Sequence, residues 1–437
     1  MKKLALLFVL VACSKSNVKW SEINALRTES NSYTLNFADE SLIVQALDGV
    51  GPFTFNATGP GSWIQSGNSF SYQRTWNKGT STLTISDAVG FSTQVNIDLR
   101  PGILKLGGDN TSESISGSSS KCMNAQLNPS GNLVFSGYTT GVFNSSSLIS
   151  PHGGSDAYIV KLKDSGAVDW IAQFGADNNT VTSISTQKMD DDGNIYAIGF
   201  TEGELYSHFP GLGSLTGSHG NQDLVIAKFN QSGALQWLRQ IGGSGGYIES
   251  SGLKVLQDQN KDIYISGSTD IDFGATQIGV AGSYNVFALK ISKDSGAVVW
   301  GYNFGGGLDS LGDPAQTNPI DFALDSLGNA FVYGDTTGDQ VGSQVGVRGS
   351  RDVFLAKIDN SGSFQWSKQF GANDQLVGSS LFLSSSGKFL VTGFTSVDFE
   401  SIFSEDYLQL KTKGSSDAFL LARKDLGNST RSLFFIF

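Results

Sequence analysis

The stretch DGNIYAIGFT, residues 192–201, decides the fold, because four relatives of it recur along the same chain of 437 residues. They are SGNLVFSGYT (130–139), NKDIYISGST (260–269), LGNAFVYGDT (327–336) and SGKFLVTGFT (386–395). Each opens on a Gly-Asn or equivalent turn and runs into a strand. Both faces of that strand are apolar: Ile195 and Ala197 on one, Tyr196, Ile198 and Phe200 on the other. A strand of this kind needs a neighbour on each side. The repeated glycine within it (Gly137, Gly199, Gly267, Gly334, Gly393) is expected where packing leaves no room for a side chain.

Three further landmarks keep the same step. Gly107, Gly175, Gly242, Gly305 and Gly371 follow one another at intervals of 68, 67, 63 and 66 residues. DAYIVK at Asp156 returns as DLVIAK at Asp223, NVFALK at Asn285, DVFLAK at Asp352 and DAFLLA at Asp417. Trp170, Trp237, Trp300 and Trp366 each lie five residues before the next landmark glycine. Every unit holds four strand-like runs, such as SISTQKM, NIYAIGFT, DLVIAKF and ALQWLRQIG. A four-stranded unit of this size buries both faces only by stacking on others. The expected fold is therefore all-β, a small immunoglobulin-like β-sandwich followed by a β-propeller of about five four-stranded blades.

The GNxYxxGxT, DAFxxK and SGxxxW series closely resembles the SBBP β-propeller repeat family of bacterial secreted and surface proteins. The resemblance covers about 330 residues and implies a fold without implying an activity. The chain departs from the family in showing five units where its name supposes seven, and in a last unit that lacks the Trp and ends RSLFFIF. Ring closure could use that terminal strand or GILKLGG (102–108).

Ahead of the repeats, FSTQVNIDL places Phe91, Thr93, Val95, Ile97 and Leu99 on one face and polar residues on the other. That is the alternation of a half-buried antiparallel strand. With the turns DGVGPF, TGPGSW and SDAVG, this segment resembles bacterial immunoglobulin-like domains, read as a spacer. The expected organisation is a signal peptide at 1–12, a tether at 13–22, the sandwich at 23–100 and the propeller at 101–437. Its blades fall at about 108–175, 176–242, 243–305, 306–371 and 372–437.

The first residues, MKKLALLFVLVACSKS, combine two lysines, an apolar run too short to span a bilayer, and Leu10-Val11-Ala12-Cys13. They resemble the lipobox of bacterial lipoproteins, which implies acylation of Cys13, including palmitate, and anchoring to the membrane by lipid. Ser14 rather than Asp after the cysteine points to the outer membrane, with the surface and periplasmic faces both open.

Composition narrows the partners. Gly numbers 54 and charged residues are only 16%, which suits short strands and tight turns. Removing Lys2 and Lys3 takes the formal charge from −11 to −13, and no basic run remains, so nucleic acid is not an expected partner. The second cysteine, Cys122, is expected to fill a core site.

Function is expected on the connections between the second and third strand of each unit, which run 16 to 22 residues. They hold His152, His208 and His219, with Glu202 and Glu204 beside them, as the ligand-binding candidates. Their spacing does not favour zinc, and no metal or cofactor is expected. Asp190, Asp191 and Asp192 read as an acidic turn rather than a calcium loop. Lys161, Lys228, Lys290 and Lys357 read as packing residues more than as an anion-binding ring, and the tryptophans as core. No Ser-His-Asp order, nucleotide loop, HExxH or paired-Cys motif is present. The expectation is a lipid-anchored, non-catalytic binding, adhesion or scaffolding protein whose protein or glycan partner is open. The alternatives are a glycan-active propeller hydrolase or lyase and a periplasmic outer-membrane assembly factor.

Overall fold

The computed structural model describes residues 28, 30, 32–35, 41–47, 51–73, 79–99, 119–127, 132–143, 147–148, 154–163, 168–176, 179–272, 274–339, 343–372, 374–383, 388–395, 417–424 and 433–436. Cys13 and the signal segment, His152, and both stretches expected to close a ring apart from 433–436 lie outside them. The chain divides into two compact units, one of Met1–Gly107 with Leu127–Val134 and Val160–Ile171, the other of the remainder.

The first unit contains β1 (Ser32–Leu35), β2 (Ser41–Gln45), β3 (Thr54–Thr58), β4 (Ser62–Ser66), β5 (Ser69–Gln73), β6 (Gly79–Ser86) and β7 (Ser92–Leu99). They form a four-stranded sheet, β1-β7-β6-β3, and a three-stranded one, β2-β5-β4. Alternation in sequence becomes alternation in burial. Leu83, Ile85, Val95 and Ile97 from one sheet meet Leu42, Val44, Phe70 and Tyr72 from the other in a single core. Gln94 and Asn96, one position over, face solvent. Trp63 packs on Tyr72 with ring centroids 4.8 Å apart, and the Tyr72 hydroxyl donates to the Pro60 carbonyl at 2.6 Å.

The repeats supply the remaining strands. The first has β8 (Ser120–Leu127), β9 (Leu133–Thr139), β10 (Ser147–Leu148), β11 (Asp156–Leu162) and β12 (Val168–Phe174). The second has β13 (Thr182–Met189), β14 (Ile195–Thr201), β15 (Gly213–Gly217), β16 (Asp223–Phe229) and β17 (Leu235–Gly242). The third has β18 (Ile248–Gln257), β19 (Ile263–Thr269), β20 (Thr276–Val280), β21 (Asn285–Ile291) and β22 (Val298–Gly306). The fourth has β23 (Thr317–Leu324), β24 (Ala330–Thr336), β25 (Ser343–Val347), β26 (Asp352–Ile358) and β27 (Phe364–Ala372). The fifth has β28 (Leu376–Leu383), β29 (Lys388–Thr395), β30 (Asp417–Lys424) and β31 (Leu433–Ile436).

The structure corrects the expectation of a propeller of four-stranded blades. In the second repeat the sheet order is β13-β14-β16-β17-β15, and the third and fourth repeat it with β18-β19-β21-β22-β20 and β23-β24-β26-β27-β25. Each carries a fifth strand, which leaves the second strand, crosses the sheet and pairs parallel to the fourth on its outer edge. From the second repeat to the fifth the sheets meet in chain order, each lying on the one before it. The result is a solenoid-like stack in which one turn of chain lays down one sheet. Apolar faces on both sides of a strand demand two neighbours, and a stack supplies them as well as a ring does. That is why the sequence pattern did not distinguish the two.

The residues of the third repeat show how the stack is held. Ile263, Ile265, Phe287, Leu289 and Ile291 join Tyr196, Ile198, Leu224, Ile226 and Trp237 of the second repeat. Tyr264, Val286 and Ala288, of opposite parity, join Val332, Phe354, Ala356 and Ile358 of the fourth. A further core runs from Phe331, Tyr333, Val353 and Leu355 to Leu381, Phe389 and Val391 of the fifth. Each such side chain stabilises the stack by about 1.5–3 kcal/mol relative to exposure. Polar groups cross the same seams. Tyr264 donates to the Gly328 carbonyl at 3.0 Å, and Lys228 Nζ and Trp237 Nε1 both donate to the Lys293 carbonyl, at 2.8 and 3.2 Å.

Two glycine positions answer to geometry. A Cβ at Gly199 would collide with the Ser183 carbonyl, and one at Gly334 would lie 2.6 Å from the Asn318 carbonyl, so the second strand tolerates no side chain there. Gly217, Gly279 and Gly346 in the fifth strands take φ of +82°, +78° and +79°, a left-handed conformation that favours glycine.

Among the described residues the one helical element is a 3-10 turn, Leu205–His208, and no helix is long and apolar enough to cross a membrane. Cys122 is exposed rather than in the core, because β8 is open on both faces there: Lys121 and Met123, which point to the opposite face, are exposed too.

Candidate functional site

The connections between second and third strands emerge from one end of each sheet and are rooted in a polar arrangement that the repeats share. In the second repeat, Thr201 at the end of β14 accepts the Gly203 N–H at 3.2 Å and pairs with Thr182 at 3.0 Å. Asp223 at the start of β16 is fully buried. Its Oδ1 accepts the Gly220 N–H at 2.9 Å and its Oδ2 accepts Gln240 Nε2 of β17 at 2.6 Å. Gln240 also donates to the Gly203 carbonyl at 3.0 Å and accepts the Tyr206 N–H at 3.1 Å. Both ends of the connection are thereby tied to one carboxylate and one amide. Buried polar groups satisfied in this way fix a unique geometry.

The fourth repeat repeats these contacts. Asp352 accepts Gln369 Nε2 at 2.7 Å and the Gly349 N–H at 2.9 Å, and Gln369 donates to the Gly338 carbonyl at 3.0 Å. In the first repeat Gln173 Nε2 reaches Asp156 and the Gly141 carbonyl, both at 2.9 Å, and its oxygen accepts the Phe143 N–H at 3.0 Å. The landmark glycine belongs to the same arrangement: a Cβ at Gly175 or Gly242 would run into the carboxylate of Asp156 or Asp223. The glutamines were missed in sequence. Their signal was the residue two before each landmark glycine, in QFG, QIG, NFG and QFG.

Burial pushes the Asp352 carboxyl above the usual carboxylate range, against the pull of Gln369, the Gly349 N–H, Gln344 and Arg348. Burial likewise raises Asp335, while Asn318 and Arg351 oppose it.

The candidates within the described residues are each engaged separately. His219 lies four residues before Asp223, with Nδ1 2.7 Å from Oδ2, and is spent on the buried carboxylate. Glu202 accepts the Val181 N–H and Gln222 Nε2, each at 3.2 Å. Glu204 is exposed at the start of the 3-10 turn, where its carbonyl accepts the Ser207 hydroxyl at 2.8 Å, and His208 ends that turn. Among the described residues no three His, Cys, Asp or Glu side chains are grouped to hold a metal ion.

The long connections are also shorter as loops than expected, since GSLTG, TQIGV and SQVGV within them are the fifth strands. The acidic turn is closed by its own first residue: Asp190 Oδ1 accepts the N–H groups of Asp192 and Asn194 at 3.0 and 2.8 Å, and Oδ2 accepts Asn194 Nδ2 at 2.9 Å. Lys290 is buried beside Asp258 at 3.3 Å and lies over the Tyr264 ring at 5.0 Å, and Lys228 lies over Tyr196 at 5.2 Å. These lysines pack the stack. An open depression of about 700 Å³ in the first unit is lined by Gly51, Pro52, Phe53, Gln65, Gly67 and Asn68, none of them ionisable.

No family model matches the chain, and no curated protein sequence does. Solved structures give distant likenesses only. A mannose phosphorylase from Leishmania mexicana, crystallised with phosphate, is 10% identical over 64% of this chain and 81% of its own, with a TM-score of 0.26. A puromycin hydrolase S511A mutant is 11% identical over 94% of this chain and 54% of its own, with a TM-score of 0.33. A DUF4784 family protein from Bacteroides caccae is 10% identical over 94% and 99%, with a TM-score of 0.29.

Proposed function

We propose that the protein is a lipid-anchored component of a bacterial cell envelope, held through Cys13, whose repeats display a non-catalytic binding surface for a protein or glycan partner. The observation that carries the binding reading is the use made of the polar side chains. Asp156, Asp223 and Asp352, with Gln173, Gln240 and Gln369, turn inward onto the backbone of the connections, which are left as rooted, outward-facing segments of differing sequence. Loops on a rigid framework are the usual place for recognition. A catalytic site would instead bring acids and bases together around a pocket.

Two measurements test the reading. Labelled palmitate should enter the wild-type protein and not the Cys13→Ser variant, and incorporation into both or neither removes the anchor. Protease treatment of intact cells, with a periplasmic marker as control, separates surface display from a periplasmic role. Turnover of a glycan substrate by the purified protein would overturn the non-catalytic reading.

A further inference from the structure

The connection from the fourth strand of one repeat to the first strand of the next is short except once. It spans seven residues between β12 and β13 (175–181), five between β17 and β18 (243–247) and three between β27 and β28 (373–375), but ten between β22 and β23 (307–316). The extra length, LDSLGDP (308–314), is a closed hairpin. Leu308 pairs with Pro314, and the Asp309 N–H donates to the Asp313 carbonyl at 2.7 Å. Asp309 Oδ1 accepts the N–H groups of Leu311 and Asp313 at 2.8 and 3.0 Å, and Gly312 turns the chain at φ +87°. The base is fastened to two repeats. The Gly307 N–H donates to the Val280 carbonyl of the third at 2.7 Å, and Arg348 Nη2 of the fourth donates to the Leu308 carbonyl at 3.1 Å. A hairpin held in one geometry beforehand loses little freedom when something binds to it.

What the hairpin presents is aliphatic. Leu311 at its tip is 85% exposed and Leu308 at its base 57%, beside Val280 at 70% and Val347, which precedes Arg348, at 50%. A hairpin kept for packing would turn such side chains inward, as Ala315 at its foot is turned. Single exposed apolar residues are ordinary, and Leu327, in the same turn sequence DSLG at 325–328, is one; four around one hairpin mark an interaction site. We propose that this patch docks a partner protein whose matching surface is an apolar pocket bordered by lysine or arginine. Asp313 and Asp339 stand exposed at the rim, and Arg348 is spent on Asp339 at 2.9 Å and on the Leu308 carbonyl. Charge complementarity therefore asks for cations on the partner, which a second copy of this chain, at −11, is poorly suited to supply. None of the four side chains offers an aromatic face on which a sugar ring could stack. The inference rests on the binding reading above and names the part of the surface that binds.

Photo-crosslinking in the cells that make the protein tests the assignment. A benzophenone amino acid replaces Leu311 in one full-length variant and Leu327 in another, and mass spectrometry identifies each adduct and the crosslinked peptide. Position 311 should give an adduct with a partner protein at least about tenfold above position 327, through a peptide that combines apolar residues with Lys or Arg. Adding Val280→Asp should lower that adduct at least about tenfold without moving the urea midpoint, because the side chain it replaces is exposed. Val347→Asp should do the same and serves if the first variant does not fold. No protein adduct at 311, equal adducts at 311 and 327, an adduct with a second copy of this chain, or one that both aspartates leave unchanged would each overturn the inference. Adducts at 327 alone would overturn it and leave the broader binding reading standing, which the palmitate, protease and turnover measurements judge separately.

Discussion

β7 of the sandwich and β19 of the repeats are strands of similar length, yet they differ in what surrounds them. Along β7, Val95 and Ile97 are buried while Gln94 and Asn96 face solvent. Along β19 every residue from Ile263 to Thr269 is buried. The difference lies in the number of neighbours: the sandwich sheet covers one face of β7, and the repeats on either side cover both faces of β19. Residue type follows. Polar residues can occupy half of β7, whereas β19 admits apolar groups and small hydroxyls: Thr269 donates to the Tyr247 carbonyl at 3.1 Å, and Ser266 and Ser268 are buried with hydroxyls that find no partner among the described residues.

The sharpest way to break this comparison is by parity. Ile263→Ala and Tyr264→Ala, on opposite faces of β19, should each cost about 2–5 kcal/mol in urea unfolding. Ile97→Ala should cost a similar amount, but Gln94→Ala should stay within about 0.5 kcal/mol. If either β19 substitution proved neutral, one face of the strand would be open and the stack wrong.

A smaller effect concerns acids kept between sheets. The carboxyls of Asp335 and Asp352 are raised above the ordinary 3.8 by burial, so the folded state holds their protons more tightly than the unfolded chain does. Their contribution to stability is fully present below pH 3.8 and is lost as pH rises through the raised folded values. Asp352→Asn should flatten that part of the curve of urea midpoint against pH. A steeper dependence in the variant would contradict the burial argument.

The smallest effect belongs to an exposed pair that also spans two repeats. Lys261 meets Asp192 at the surface, and Lys261→Ala should leave the urea midpoint almost unchanged, the more so at high salt. A larger loss would mean that surface charges, and not the buried seams, hold the repeats together.

Much of this was legible from the repeats themselves. The two-faced apolar runs, the repeated second-strand glycine and the buried position of Trp237 all follow from spacing and residue type. The fifth strand was not legible. TQIGV and SQVGV are five residues long, partly exposed and interrupted by glycine, so they carry neither the continuous apolar run of a buried strand nor a clean alternation. The candidate site was read one atom too far outward. His219 was correctly placed on the connection, but its partner Asp223 lay four residues on in a stretch already assigned to the core, and the pairing depends on a turn that spacing alone does not reveal.

The left-handed glycines of the outer strands carry a consequence for life in a crowded setting. An unpaired strand edge can template another chain, and three sheets of this stack offer one on the same relative position. At Gly217, Gly279 and Gly346 the backbone takes a positive φ, so the row of donors and acceptors on that edge departs from the regular pattern an incoming strand would match. A chain with this many copies of one strand pattern gains from edges that do not invite a further copy, and in the second, third and fourth repeats a single achiral residue lies on that edge.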